Sequence, residues 1–207
     1  MNTVRIGETR QQPGKIVCVG RNFVAHIEEL GNQRPEEMVV FCKPASAIGE
    51  RLASRFDGET LHYEGEICLL IGERGVAGVG FGLDLTRREL QGRLKARGLP
   101  WERAKAFDGA ALFSPFQSVD GLPDALSLEL EINGELRQQG GVESMLSPPE
   151  RILVEIGRFM TLQPGDIVMT GTPAGVGEIQ PGDRFIGRVL AGGETLLAEG
   201  RWTAAEI

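Results

Sequence analysis

The stretch SLELEINGELRQ, residues Ser127–Gln138, decides the fold class of this chain. Its first half alternates polar and apolar residues with the period of two that is typical of a half-buried strand. Asn133 and Gly134 follow, and this dipeptide is the strongest short-range signal for a two-residue hairpin turn. The stretch therefore predicts two antiparallel strands, over 127–132 and 135–138, and indicates a domain built mainly from β-sheet.

The same kind of pattern recurs on both sides of this hairpin. The tetrapeptide Gln-Pro-Gly-Asp occurs at 163–166 and at 180–183, and both copies predict turns that precede strands. The 29 glycines of the 207 residues are about twice the usual share and suit many tight turns. Further strands are predicted at Lys15–Val19, Met38–Cys42, Glu64–Ile71, Val79–Leu85, Leu112–Val119, Ile167–Thr172, Arg184–Leu190 and Thr195–Trp202.

Three helices interrupt the strands. A short one is predicted over Phe23–Leu30, and a second is predicted to open at a capping box, Thr86 to Glu89, and to end near Arg97. A third follows a capping box at Ser147–Glu150. We therefore predict an α+β fold, predominantly β, in one domain over residues 15–207, with residues 1–14 as a candidate for a loosely attached N-terminal arm.

Composition excludes several classes of protein. The 22 Lys and Arg residues against 29 Asp and Glu residues leave a formal net charge of −7, whereas a nucleic-acid binder is expected to be basic. The longest apolar runs, such as Ile67–Ile71, are too short to span a bilayer, and the first residues lack the apolar core of a signal peptide. Three widely spaced cysteines, Cys18, Cys42 and Cys68, predict reduced thiols. We expect a cytoplasmic protein without membrane or nucleic-acid partners.

A pair of carboxylates begins the strand at 64–71. Glu64 and Glu66 are two residues apart, so their side chains share one face of the strand, roughly 7 Å apart at the backbone. Such a pair repels itself unless a cation lies between the two groups, and carboxylate oxygens suit Mg²⁺, Mn²⁺ or Ca²⁺. A solvated strand edge is the alternative interpretation of this pattern.

A second polar group follows the strand at 79–85. Asp84 lies just before the predicted helix, and Arg88 and Gln91 follow at helical spacing. A guanidinium and an amide close to a helix N-terminus can bind an anionic substrate beside a metal ion. Alternatively, Arg88 and Gln91 are surface residues that only support the helix.

The two histidines have different surroundings. His26 lies on the first predicted helix with Glu29 three residues later, on the same face. A carboxylate orients an imidazole and raises its basicity, as a general base requires. An ordinary surface pair is the alternative. His62 lies beside the carboxylate pair and is interpreted as a partner of a ligand or as a simple polar residue rather than as a ligand.

Five motifs in this order resemble the fumarylacetoacetate hydrolase family. They cover roughly residues 15–190, and the closest pattern is the small single-domain branch that includes the acylpyruvases. The motifs are GRNFVAHIEELGN at 20–32, HYEGE at 62–66, DLTRRELQ at 84–91, WERAKAFD at 101–108 and GTPAGVG at 171–177.

The resemblance implies a role for each matching residue. Glu64, Glu66 and Asp84 correspond to the metal carboxylates, which normally hold Mg²⁺ or Mn²⁺. His26 and Glu29 correspond to a catalytic dyad on a segment that orders over the substrate, and Lys105 to a lysine beside the substrate oxygens. The groups that bind the 2-oxo acid correspond to Arg88, Gln91 and Thr172. The family implies an unusual mixed β-sheet roll with a few short helices and a homodimer.

The activity implied first is hydrolysis of a C–C bond in an acylpyruvate or related 2,4-dioxo acid, giving pyruvate and a carboxylate. Oxaloacetate decarboxylation or tautomerisation, and isomerisation or decarboxylation of unsaturated 2-oxo diacids, use the same enolate and the same residues. These motifs do not separate the alternatives. A binding protein without catalytic activity on the same fold is the remaining alternative.

Overall fold

The computed structural model describes residues 2–29, 31 and 33–206. The four α-helices within these residues are α1 (Val24–Glu29), α2 (Arg88–Ala96), α3 (Glu102–Lys105) and α4 (Pro149–Gly157). The strands are β1 (Val4–Ile6), β2 (Thr9–Gln11), β3 (Ile16–Gly20), β4 (Val39–Lys43), β5 (Arg55–Phe56), β6 (Glu59–Thr60), β7 (His62–Tyr63), β8 (Gly65–Gly72), β9 (Gly75–Asp84), β10 (Ala111–Phe113), β11 (Gln117–Ser118), β12 (Leu126–Ile132), β13 (Glu135–Gly141), β14 (Ile167–Met169), β15 (Gly177–Glu178), β16 (Arg184–Ala191) and β17 (Thr195–Thr203).

The larger sheet has the strand order β10-β9-β8-β14-β3-β4, and β11 also pairs with β9. The sheet is mixed, because β14 runs parallel to β3 while all other neighbouring strands of this sheet pair antiparallel. Strand β8 is almost entirely buried, which explains why its sequence is a continuous apolar run rather than an alternating one. The predicted α+β fold with predominant β-structure is confirmed.

A second sheet, with the order β13-β12-β16-β17, packs against the first. Strand β12 alternates buried and half-buried residues along its whole length, and its buried face joins the main hydrophobic core. The ring of Phe81 lies over Gly187 of β16, where an added Cβ would be 2.2 Å from the ring. Only glycine therefore allows the two sheets to approach this closely.

The hairpin predicted from Asn133 and Gly134 is confirmed. Both residues have positive φ angles, 56° and 83°, as a type I′ turn requires. The two Gln-Pro-Gly-Asp turns also precede strands, β14 and β16. The prediction of a single strand over Leu112–Val119 is wrong in one respect, because the segment is divided into β10 and β11, and Ser114, Pro115 and Phe116 lie between these strands.

Both predicted capping boxes are wrong. Helix α2 begins at Arg88 without a side-chain cap, and the Thr86 hydroxyl instead accepts a hydrogen bond from Lys105 Nζ (2.7 Å). Helix α4 follows Pro148, also without a side-chain cap. Helix α1 ends at Glu29, and Leu30, the last residue of the predicted helix, lies outside the described residues.

Residues 4–11, within the segment expected as an arm, form the hairpin β1–β2. Val4 is buried in a small core cluster, and the backbone of Arg5 and Gly7 hydrogen-bonds to Phe116. Cys18, Cys42 and Cys68 are all free thiols, as predicted. None of the described helices is long and apolar enough to cross a membrane.

Candidate active site

The carboxylates of Glu64, Glu66 and Asp84 meet at one end of the β8–β9 hairpin. Glu64 directly precedes β8, Glu66 is its second residue, and Asp84 ends β9. The backbone N–H of Asp84 donates to the carbonyl of Glu64 at 2.8 Å and fixes the register. One oxygen of each carboxylate lies within 4.8 Å of the other two, and all three side chains are buried. The shared face predicted for Glu64 and Glu66 is confirmed.

Two cations from the following helices neutralise part of this cluster. Lys105 Nζ donates to Glu64 Oε2 at 2.9 Å and to Asp84 Oδ2 at 2.8 Å, and Arg88 donates to the other oxygen of Glu64. Burial alone would raise the pKa of Glu64, but Lys105 and Arg88 hold it well below its usual range. Burial alone would lower the pKa of Lys105, but Asp84 and Glu64 raise it above the usual value. Both groups are therefore charged near neutral pH.

Lys43 supports the cluster from behind. Its side chain is fully buried at the end of β4, and Nζ lies 2.8 Å from Asp84 Oδ1. The same ammonium group donates to the carbonyl of Ala110 at 3.0 Å and to that of Lys105. Sequence reasoning missed this residue, although a lysine at the end of an apolar strand is a weak signal that a buried partner exists.

Glu66 is the least neutralised of the three carboxylates. Its Oε2 accepts a hydrogen bond from the backbone N–H of Gly171 at 2.7 Å. Burial, with Asp84 and Glu64 beside it, raises its pKa well above the usual range. Three buried, converging carboxylates, of which Glu66 has no cationic partner among the described residues, fit a hard divalent cation, which takes oxygen ligands and would relieve their repulsion.

The short helix α1 places His26 over the acidic cluster. His26 is 6% exposed, and its Nδ1 lies 3.1 Å from Glu29 Oε2. An ionised carboxylate can only accept, so Nδ1 is the donor in this pair, and in the neutral imidazole Nε2 is the proton acceptor. The other oxygen of Glu29 accepts from the backbone N–H of Gly175 at 2.9 Å. The dyad is thus held from both sides.

The remaining polar residues are also oriented by neighbours. Gln91 Oε1 accepts from Arg88 Nη1 at 2.8 Å. Thr172 Oγ1 accepts from Gln138 Nε2 at 2.8 Å, while Gln138 Oε1 accepts from the backbone N–H of Gly65. The Thr172 hydroxyl itself donates a long hydrogen bond, 3.5 Å, to the carbonyl of Pro173. The predicted strand over Ile167–Thr172 in fact ends at Met169, since Gly171 (φ 102°) turns the chain toward Glu66.

A cavity of about 30 Å³ is formed at this position. Of the nine site residues predicted from the sequence, all but Glu29 line this cavity. Glu29 does not line it but contacts His26, which does. Arg21, Lys95 and Trp101 line it as well and were not assigned a role from the sequence. The nine residues lie on six separate parts of the chain, and the fold brings them to one place.

His62 lies outside this cavity. It is part of β7, and its Nε2 is 4.0 Å from Glu178 Oε1. Burial, followed by the charge of Arg88, lowers its pKa. The interpretation of His62 as a polar residue next to the cluster, not as one of its ligands, agrees with this position.

The chain was compared with known proteins and solved structures. The family model described as fumarylacetoacetate (FAA) hydrolase C-terminal matches residues 15–200. The oxaloacetate tautomerase YcgM of Escherichia coli (strain K12) is 41% identical over 188 residues, which are 83% of this chain and 86% of that protein. The mitochondrial oxaloacetate tautomerase FAHD1 of Arabidopsis thaliana is 38% identical over 218 residues, 96% of this chain and 94% of that protein.

A solved structure supports the same relationship. The crystal structure of fumarylpyruvate hydrolase from Pseudomonas aeruginosa, in complex with Mn²⁺ and pyruvate, superposes with a TM-score of 0.89 at 32% identity. The match covers 100% of this chain and 96% of that one. With the family model over most of the chain and relatives of this identity, the protein belongs to the fumarylacetoacetate hydrolase family.

Proposed function

We propose that this protein is an oxaloacetate tautomerase that depends on a divalent cation, Mg²⁺ or Mn²⁺. The observation that carries the proposal is that one cavity contains the buried acidic cluster together with His26, Lys105 and the Arg88–Gln91 pair. This set can bind a 2-oxo acid and move a proton. The choice of oxaloacetate rests on the 41% identity with an oxaloacetate tautomerase. Among the activities considered from the sequence, this support favours the alternative over acylpyruvate hydrolysis.

The proposed metal ligands are Glu64, Glu66 and Asp84. A cation held there would withdraw electron density from the 2-oxo carbonyl and acidify the hydrogens of the neighbouring carbon. Arg88, Gln91 and Thr172 would bind the carboxylate next to that carbonyl, because all three line the cavity and offer a guanidinium, an amide and a hydroxyl group.

The His26–Glu29 pair is proposed to transfer the proton. His26 Nε2 would remove a proton from C3 of the keto form, and Glu29 would stabilise the imidazolium that results. The negative charge would then pass to the oxygen on C2, where the positive charge of the nearby Lys105 ammonium would stabilise it. Transfer of the proton from the His26 imidazolium to that oxygen gives the enol, and the reverse steps regenerate the keto form, so no atom is gained or lost overall.

Acylpyruvate hydrolysis is the second candidate. The observation in its favour is the same dyad, since an oriented imidazole can activate water as well as remove a C–H proton. The similar fumarylpyruvate hydrolase, whose structure contains Mn²⁺ and pyruvate, also fits this candidate.

One experiment compares the two candidates. The purified protein with saturating Mg²⁺ is mixed with oxaloacetate, and the approach to keto–enol equilibrium is followed by the ultraviolet absorbance of the enol, with the buffer rate subtracted. Parallel reactions measure acetate and pyruvate from acetylpyruvate, and pyruvate from oxaloacetate. Reactions with EDTA and with Glu66→Gln serve as controls for the metal site.

We expect metal-dependent acceleration of tautomerisation that exceeds both other rates. Faster cleavage of acetylpyruvate than tautomerisation would make the protein a hydrolase and overturn the proposal. No acceleration of any of the three reactions would support the non-catalytic alternative. Activity that is insensitive to EDTA would contradict the proposed metal requirement.

A further inference from the structure

Two cations of the cavity take no part in neutralising the acidic cluster. Arg21 and Lys95 line the cavity, whereas Glu64 and Asp84 are paired with Arg88, Lys105 and Lys43. Within residues 2–29, 31 and 33–206, neither Arg21 nor Lys95 forms an ion pair with a carboxylate. Two cations that line a cavity and have no carboxylate partner are the arrangement expected where the ligand brings the anion.

The backbone at Arg21 supports a role for its side chain. Its φ angle is 55°, in the left-handed region that disfavours residues with a Cβ. Glycine or asparagine would occupy this position at a lower cost in free energy. The buried Arg21 Nε also has no hydrogen-bond partner among the described residues. Arg21 therefore has an unfavourable backbone conformation and a side-chain nitrogen without a hydrogen-bond acceptor. Both features are explained if its guanidinium binds a ligand.

Lys95 contributes a second charge from helix α2. Its Nζ lies 4.8 Å from the centre of the Trp101 ring, which holds the ammonium group at the cavity wall. Burial, followed by the charges of Arg21, Arg88 and Lys105, lowers its pKa to about 8. The neighbouring cations, which are the smaller cause after burial, add positive charge that a bound anion would offset.

The position of Arg21 indicates where that anion lies. Arg21 also lines a neighbouring cavity of about 220 Å³, with which the first cavity shares Val19 and Gly20. A ligand bound by its 2-oxo acid end at Arg88 and Gln91 would extend from the inner cavity toward this outer one. Its distal end would then pass Arg21.

We infer that Arg21 and Lys95 form a subsite for the distal carboxylate of a four-carbon 2-oxo dicarboxylic acid and thereby determine specificity for diacids over monoacids. This inference deepens the proposed function and rests on it for the identity of the reaction. The chemistry is that of a carboxylate bound by a planar guanidinium and an ammonium group.

The test uses binding as well as turnover. Malate and lactate, in the presence of saturating Mg²⁺, differ only in the distal carboxylate and do not tautomerise, so calorimetry on this pair isolates the subsite. Steady-state rates with oxaloacetate and acetylpyruvate provide the kinetic comparison. The variants are Arg21→Asn, which suits the positive φ angle, and Lys95→Met, with Arg21→Lys and Lys95→Arg as charge-retaining variants.

Arg74→Gln is the control for the change in net charge. Arg74 is exposed in the turn between β8 and β9, at the opposite end of the hairpin from Glu66. Thermal melting of each variant verifies that it folds. Arg21→Asn is expected to have a Tm no lower than that of the parent, because asparagine adopts a positive φ angle at a lower cost in free energy than arginine.

We expect Arg21→Asn and Lys95→Met each to weaken malate binding and to lower kcat/KM for oxaloacetate on the order of 10- to 100-fold. The affinity for lactate and the rate with acetylpyruvate should stay within about 3-fold of the parent values. Neither molecule has a distal carboxylate, so neither can lose a contact with Arg21 or Lys95. The charge-retaining variants should recover part of the loss.

Equal losses for malate and lactate, or no preference of the parent for malate, would overturn the subsite. If the malate preference depends on Arg21 and Lys95 while oxaloacetate is not tautomerised, the proposed function fails and the diacid subsite stands. If tautomerisation occurs and the preference does not depend on these residues, the subsite fails alone.

Discussion

Lys43→Met removes the one ammonium group that supports the acidic cluster from the side of β4. The side chains are similar in length, so the change leaves little empty space and mainly deletes a charge and three donors. Asp84 Oδ1 loses a cation at 2.8 Å, and the carbonyls of Ala110 and Lys105 lose their buried donor. Asp84 keeps Lys105 at 2.8 Å on its other oxygen.

The loss of stability can be estimated from this geometry. Removal of one partner from a buried ion pair typically costs about 3–5 kcal/mol, because the other charge remains buried. For a domain of 207 residues, each kcal/mol corresponds to about 2–4 °C in Tm. We therefore expect Lys43→Met to melt roughly 6–20 °C below the parent when EDTA is present.

The same reasoning predicts that the loss depends on the metal. A divalent cation bound by Glu64, Glu66 and Asp84 would supply the positive charge that Lys43 no longer provides. The difference in Tm between variant and parent should therefore shrink when Mg²⁺ is saturating, since the variant gains more from binding. Thermal melts followed by circular dichroism, in EDTA and in Mg²⁺, measure both differences.

Lys15→Met is the matched control, since it breaks a Lys–Asp pair outside the acidic cluster, where Asp166 lies beside Ile71 at the far end of β8 from Glu66. Asp166 there still accepts backbone N–H bonds from Lys15 and Gln163, at 3.0 and 2.8 Å. Its loss should be smaller and independent of Mg²⁺. A Tm for Lys43→Met within about 2 °C of the parent in EDTA would refute the estimate, and a deficit unchanged by Mg²⁺ would refute the link to the metal site.

Three further predictions concern the site itself. Glu66→Gln should weaken Mn²⁺ binding at least ~10-fold by calorimetry, because a neutral amide replaces a charged ligand; unchanged affinity would remove Glu66 from the ligand set. His26→Ala should lower kcat for oxaloacetate tautomerisation by a factor on the order of 10² to 10⁴ with little change in KM, and an unaltered kcat would exclude His26 as the base. The kcat/KM for oxaloacetate should fall as pH rises through about 8, where Lys95 loses its proton. Burial, followed by the charges of Arg21, Arg88 and Lys105, lowers that pKa, while Glu64 raises it. Lys95→Arg should abolish this alkaline decline; a pH profile that keeps the decline in Lys95→Arg would assign it to another group.

Much of the sheet structure was predictable because its signals are local. The alternation over 127–132 and the Asn133-Gly134 turn specify β12, the start of β13 and the pairing of Ile132 with Glu135 without reference to the rest of the chain. The shared face of Glu64 and Glu66 follows from strand geometry alone. These features depend on residues within about ten positions of one another, and sequence patterns at that range are reliable when polar and apolar residues alternate.

The capping box predicted at Thr86 failed because a distant residue competes for the hydroxyl. Thr86 has the sequence context of an N-cap, yet Lys105 Nζ donates to its Oγ1 and the hydroxyl itself donates to the carbonyl of Asp84. A buried ammonium group needs all of its acceptors, which makes the Thr86 hydroxyl more valuable to Lys105 than to the backbone of α2. Local sequence cannot reveal that competition, since the lysine lies 19 residues away.

The distribution of charge in the site explains why sequence reasoning found the carboxylates but missed part of their surroundings. The three carboxylates lie on one hairpin, so their spacing is visible in the sequence. Their cations come from three other elements, with Lys43 on β4, Arg88 on α2 and Lys105 on α3. Three buried carboxylates without these partners would be strongly unfavourable. The hairpin can therefore hold its acidic cluster only after β4, α2 and α3 have packed against it, and the site is a property of the whole fold.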